Sequence, residues 1–237
     1  MLFRVGLENN TEAGSIAWVL NHPGCFAHGA NSDLAQGNLT AAAQNYLDWI
    51  AKNDADPWLT PGDFEMRVEE TWEAYQINDE FELVEEGYEV NAWFLHDWKP
   101  LTEEDIQRGL KMLAWSRADL LEMVRDLSPE DLKQRYPEER WSIAGILKHT
   151  GGAEWWYLDR LGLAFPRPEV PADAFERLKK VRAHLVKLLP DLVASRQVVG
   201  IDGEFWSPRK MLRRALWHEK DHTEHIQKLL KNPDYSV

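Results

Sequence analysis

Pro100 divides this chain into two stretches with different hydrophobic periods, and no single regular architecture accommodates both. Before it, short β-favouring runs alternate with polar turns. FRVGLE and SIAWVL, separated by NNTEAG, read as a hairpin, and HPGCFAHG follows with Pro23, Gly24 and Gly29 as turn punctuation. From Ser32 to about Lys52 the apolar residues Leu34, Leu39, Ala42, Ala43, Tyr46, Leu47 and Ile50 recur at helical spacing. FEMRVEETWEAY and YEVNAWFLHDW read as further strands, with the acid-rich NDEFELVEEG between them. Residues 1–99 are therefore expected to form a small α+β unit.

After Pro100 the period becomes helical. LTEEDIQRGLKMLAWSRADLLEMVRDL opens with Thr102 as N-cap and repeats apolar residues at Ile106, Leu110, Leu113, Leu120, Leu121 and Val124. A second helix is predicted from near Ser142 to Gly162, a third from Ala174 to about Ser195, and a fourth capped by Ser207 with Pro208 at its first position. LAFPRPEVPAD cannot be helical and is long for a tight turn, and QVVGIDGEFW reads as an irregular or hairpin-like insert. Four helices with one long crossover point to a four-helix bundle over 100–237.

Charge follows the same division. Of the net −13, residues 1–100 account for 18 acids against 4 bases, whereas residues 101–237 carry 22 acids against 23 bases. Phosphate recognition needs clustered Lys and Arg, so nucleic acid is not expected as a partner of the first half, and an acidic solvated face is the simpler reading. No apolar run is long enough for a membrane span, and MLFRVGLENN lacks the layout of a secretory signal. With Cys25 as the single cysteine no internal disulfide can form, so a reducing cytoplasmic setting is expected, with Cys25 itself a small buried residue.

WHEKDHTEHI places three histidines on one helix. At 3.6 residues per turn, His222 and His225 lie only about 40° and about 20° around the axis from His218. Imidazoles at i and i+4 stack along one helix edge and can share a metal. A third ligand must then come from another helix, and the candidates are His149 and His184. His149 sits in the apolar register of Ile143, Ile146 and Leu147, where an unpaired imidazole is costly to bury, so it is preferred. His184 lies beside Arg182 and Lys187 in what reads as a solvent face; His22, His28 and His96 need no functional explanation. The stretch also spells H-E-x-x-H, the zinc-protease pattern with Glu219 as base. Lys220 and Asp221 make the helix more polar than a buried protease helix. Glu224 and His225 continue the same element rather than bringing a ligand from elsewhere, so protease chemistry is not expected.

Two family resemblances extend this reading. The opening strand FRVGLE, the second strand SIAWVL, the Pro-Gly-Cys turn and the helix SDLAQGNLTAAAQNYLDWI resemble the HicB-like antitoxin fold over about residues 3–52, with 97 as the furthest limit. That resemblance implies a β-hairpin packed on one helix, in a unit that binds a partner protein or nucleic acid; with the acidic balance of this half, an interaction or substrate-gating module is expected instead of an antitoxin. The second half resembles the DinB / YfiT-like family of metal-binding four-helix bundles over about residues 100–232. Trp141-Ser142, His149, Glu154 and Trp155-Trp156 match one motif, and His218, Glu219, His222 and Ile226 match its partner on the last helix.

The second resemblance implies that His149, His218 and His222 ligate a divalent metal, with Glu154, Glu219 and His225 as outer residues that orient the ligands. Three neutral nitrogens accept zinc, nickel, iron or manganese. It further implies an enzyme that activates water or a small thiol, of hydrolase or thiol S-transferase type, acting on a small molecule or low-molecular-weight thiol. Trp155, Trp156 and Trp217 are candidates to line its pocket. The alternative is a non-catalytic metal-binding protein acting through its acidic N-terminal module; a fourth protein ligand from His225 or Glu154 would favour a closed structural site. Helix faces of this kind also allow a homodimer.

Overall fold

Apolar residues at alternate positions make Leu2–Thr11 a strand (β1) with Phe3, Val5 and Leu7 buried on one face. In the computed structural model, which describes residues 1–137 and 139–231, β1 pairs antiparallel with β2 (Gly14–Val19). β2 pairs with β3 (Phe26–Gly29), and β4 (Glu65–Glu73) lies parallel on the other side of β1. The order is β3-β2-β1-β4. Helix α1 (Ser32–Asn53) starts where the Asn31 side chain accepts from the Leu34 backbone N–H. It buries Ala35, Leu39, Ala43, Tyr46, Leu47 and Ile50 and packs on β2 and β3. Cys25, in the Pro-Gly-Cys turn, is a buried thiol outside any disulfide.

The chain groups into two units. Met1–Lys99 form the first together with Arg196–Lys210, and Pro100–Ser195 form the second together with Met211–Lys231. Residues 196–210 include the hairpin β8 (Val199–Ile201) and β9 (Glu204–Trp206), turned by Asp202 and Gly203, both at positive φ. That turn matches the two-residue Asp-Gly type whose twist suits a hairpin.

One strand expectation fails. Of YEVNAWFLHDW only Tyr88–Glu89 (β7) is extended and paired, joining β5 (Gln76–Ile77), which also pairs with β6 (Leu83–Val84). Leu95–Trp98 form a 3₁₀ turn. Carboxylates replace a neighbouring strand here. The backbone N–H groups of Asn91, Ala92, Phe94 and Leu95 donate to Glu204, Glu8, Asp97 and Glu70 respectively. Glu8, Asp97 and Glu204 are buried, so part of the acidic excess supplies internal acceptors rather than a solvated face.

The second unit is built on four long helices. α2 (Glu103–Val124) opens with the Thr102–Asp105 capping box, and a short α3 (Pro129–Lys133) is capped by Ser128. α4 (Ile143–Arg160) is capped by Ser142 and α5 (Ala174–Leu188) by Asp173. α6 (Pro208–Lys231) starts where Ser207 Oγ accepts from the Lys210 N–H. Leu120 and Val124 of α2, Ile143, Ile146 and Leu147 of α4, Leu178 of α5 and Ile226 and Leu229 of α6 meet in one buried cluster. Burying each such side chain fully contributes about 1.5–3 kcal/mol, which outweighs the propensity of any one helix. Gly109 lets α6 approach α2, because a Cβ there would stand 2.9 Å from Leu212 Cδ2. No helix among the described residues is long and apolar enough to cross a membrane.

Candidate metal centre

The Ser142 cap fixes the start of α4 and, seven residues on, sets His149 toward α6. There His149 Nε2 lies 3.1 Å from His218 Nε2, which lies 3.1 Å from His222 Nε2. One ligand atom from each of the three falls within 4.8 Å of the others. The i, i+4 pair of α6 and a histidine of α4 thus converge.

Hydrogen bonding alone serves this trio poorly. His218 Nε2 has two ring nitrogens as neighbours, yet a neutral ring nitrogen is either one donor or one acceptor. Around a single ion with metal–nitrogen bonds of about 2.0–2.1 Å, tetrahedral geometry separates neighbouring nitrogens by about 3.3 Å. The 3.1 Å spacing is close to that. The protonation states agree. Burial pushes His218 far below the usual histidine value, assisted by His222, His149 and Arg214. Burial also pushes His222 down to about 4 and lowers His149, where Arg140 adds to the effect. All three imidazoles therefore present lone pairs at neutral pH, the form a metal takes. His222 Nδ1 is buried and makes no hydrogen bond. The residues present fit a divalent ion.

Trp141 holds His149 from the side, its ring stacked at 4.4 Å, and the Arg140 guanidinium lies over the same indole, 4.7 Å from its centroid. Tyr157 meets the His218 ring edge-on at 6.0 Å. A cavity of about 400 Å³ is lined by His149, His218, Trp156, Tyr157, Arg214 and Trp217, so two of the three candidate tryptophans face the histidines. Trp155 lines an adjoining cavity and donates its Nε1–H to the Phe165 carbonyl.

Each long helix contributes one charge to a buried network. Arg182 of α5 bonds both Glu154 of α4 and Glu219 of α6, and Arg117 of α2 donates through Nε to Glu219 at 2.6 Å. Arg182 is buried, which corrects the expectation of a solvent face around it. Burial opposes ionisation of Glu219, but Arg182 and Arg117 more than offset it and hold the carboxylate below its ordinary range. A carboxylate so held is a weak base, which removes the protease role its H-E-x-x-H position would give it. The bonds of Glu154 and Glu219 run to arginines, and His225 Nε2 pairs with Glu139 at 3.1 Å. His184 is half-buried, with Nε2 2.8 Å from the Leu163 carbonyl and its ring edge-on to Phe165, apart from the trio.

Arg117, Arg182 and Arg214 were not picked out from the sequence as site residues. The first two sit at i+4 from Leu113 and Leu178, on the apolar stripe of their helices, and that register marked them as inward-facing. No curated protein and no solved structure matches the chain. Residues 112–226, the stretch that carries all three histidines and the four buried charges, match the family model of the DinB superfamily.

Proposed function

We propose that the chain is a divalent-metal-dependent enzyme of the DinB-like class, its second unit a four-helix bundle in which His149, His218 and His222 hold the ion. One observation carries the reading: three Nε2 atoms converge while both candidates for a fourth protein ligand are engaged elsewhere. His225 is paired with Glu139 and Glu154 with Arg182, which supports an open site over a closed structural one. A zinc, nickel, iron or manganese ion held there supplies a Lewis acid that lowers the pKa of a water or small thiol toward neutrality. The protein supplies the surroundings. Trp156 and Trp217 give the cavity an apolar wall, Trp141 stacks on the His149 ring, and Arg214 places a buried positive charge on the cavity wall. That setting suits reactions developing negative charge at a small substrate, of hydrolase or thiol S-transferase type.

Metal analysis of the purified protein and of His149→Ala tests this. One ion per chain in the wild type, lost in the variant with helical content unchanged, is expected. Protein that takes up no divalent metal stoichiometrically overturns the proposal.

A non-catalytic reading has one observation in its favour. In the first unit Trp93, Trp98 and Phe205 form a ring cluster whose Trp98 and Phe205 are half exposed, the kind of surface an interaction module presents. A HicB-like role for this unit rests on its strand-turn-helix order, and metal uptake without turnover of any thiol or ester would favour binding over catalysis.

A further inference from the structure

On the other side of His149 and Trp156 a second cavity, of about 490 Å³, is walled by Trp141, Trp155 and Trp156 and by Lys148, Arg167 and Arg177. In a chain of net charge −13 this concentration of cations is unexpected, and it is not neutralised locally. Among the described residues no carboxylate lies within ion-pair distance of Lys148, Arg167 or Arg177. Two acids close to them in sequence are committed: Asp173 caps α5 through the N–H groups of Phe175 and Glu176, and Glu169 pairs with Lys180; Glu176, next to Arg177, is exposed.

Arg177 is also held in place. Its Nε donates to the Pro171 carbonyl at 2.8 Å and its Nη1 to the Lys148 carbonyl at 3.3 Å, which leaves Nη2 and part of Nη1 for a ligand. Gly151 gives Arg177 this room: a Cβ there would stand 3.0 Å from Arg177 Cγ and 3.2 Å from the Leu178 backbone nitrogen. Arg167 lies over the Trp155 ring, 5.4 Å from its centroid.

We infer that this cavity is an anion subsite, which takes the carboxylate or phosphate of an organic substrate whose flat apolar body lies along Trp156 and whose reacting end reaches His149. Guanidinium groups recognise such anions through paired, charge-assisted hydrogen bonds, and indole faces accept a planar apolar body. Burial and the neighbouring Arg167 both lower the Arg177 pKa, a strain between like charges that a bound anion relieves. His149, Gly152, Ala153 and Trp156 line both cavities, so one molecule can occupy the two at once. Only the reacting end of this assignment rests on the metal reading of the histidines.

Calorimetric titration with phenylacetate, phenyl phosphate and the neutral phenylacetamide, on zinc-loaded and on zinc-free protein, tests it. At least one anion is expected to bind about ten-fold more tightly than the amide, a gap of about 1.4 kcal/mol. Which anion binds better distinguishes a carboxylate from a phosphate substrate. Arg167→Gln, an exposed change, is expected to abolish most of that preference with zinc content unchanged, and Arg177→Lys to retain part of it. Equal affinity for anion and amide, no saturable binding of either anion, or an unaltered preference in Arg167→Gln overturns the inference. Anion preference in protein that takes up no zinc would sustain it while removing the metal reading.

Discussion

Arg182 reaches Glu154 through Nε and Nη2 and turns the same Nη2 on Glu219, 2.9 Å away, so one guanidinium ties α4 and α6 to α5. All three groups are almost completely buried. Such a network adds little over a well-packed apolar one, but losing one partner strands the others without water. Arg182→Met is therefore expected to cost about 3–5 kcal/mol of unfolding free energy, mainly from the Glu154 carboxylate, which keeps only Arg117 Nη2 at 3.7 Å as a cationic neighbour. Urea titration checks this. The double variant Arg182→Met/Glu154→Gln should recover part of the loss, and a double variant no more stable than the single one would contradict the account.

Trp141 and His149 stack at 4.4 Å, and the indole fixes the imidazole plane that would face an ion. Partners that orient a metal ligand are commonly worth about ten-fold to a hundred-fold in affinity. Trp141→Ala is expected to weaken zinc binding by about ten-fold, and Trp141→Phe by much less because a ring remains. Competition against a chelating dye measures both, and equal affinities in all three proteins would assign Trp141 to packing alone.

What could be read from the sequence was local. Thr102, Ser142 and Ser207 announced three helix starts because an N-cap needs only its own next three residues. His218 and His222 announced a shared edge because i, i+4 is a property of one helix. The convergence of His149 depends on how two helices pack, and a family resemblance supplied it. The four-charge network was missed although Arg117 and Arg182 lie in apolar register, since Arg182 was read with its neighbours His184 and Lys187 rather than with Leu178 and Leu185. YEVNAWFLHDW carries a strand pattern, yet its N–H groups find acceptors on Glu8, Glu70, Asp97 and Glu204, carboxylates up to 113 residues away. Alternation records which side chains are buried, not what satisfies the backbone.

Metal-free protein should lose stability in acid. Burial places the folded-state values of His149, His218 and His222 below the ordinary histidine value, that of His222 at about 4. The unfolded chain then binds more protons than the folded one below about pH 6.5, so stability falls as pH drops from there toward 4 and is complete above it. Urea unfolding of chelator-treated protein at pH 7.5 and 5 checks the sign. His222→Leu should flatten the slope, and a metal-free protein as stable at pH 5 as at pH 7.5 would contradict the burial of these rings.

Gly29 ends β3 where α1 begins, and a Cβ at this position would stand 2.2 Å from the Ala35 backbone nitrogen. Backbone, unlike the tip of a leucine, cannot rotate away, so α1 must shift from β2 and β3 to admit even a methyl group. Two effects favour Gly29→Ala: alanine restricts the unfolded chain, and it suits a strand slightly better, together about 1 kcal/mol. Overpacking against backbone costs about 3 kcal/mol or more and wins. The variant is expected to unfold at lower urea, with Gly37→Ala, where nothing stands within 4 Å, as the matched control that gains stability inside α1. Equal destabilisation by the two would show that the loss comes from something other than this close approach.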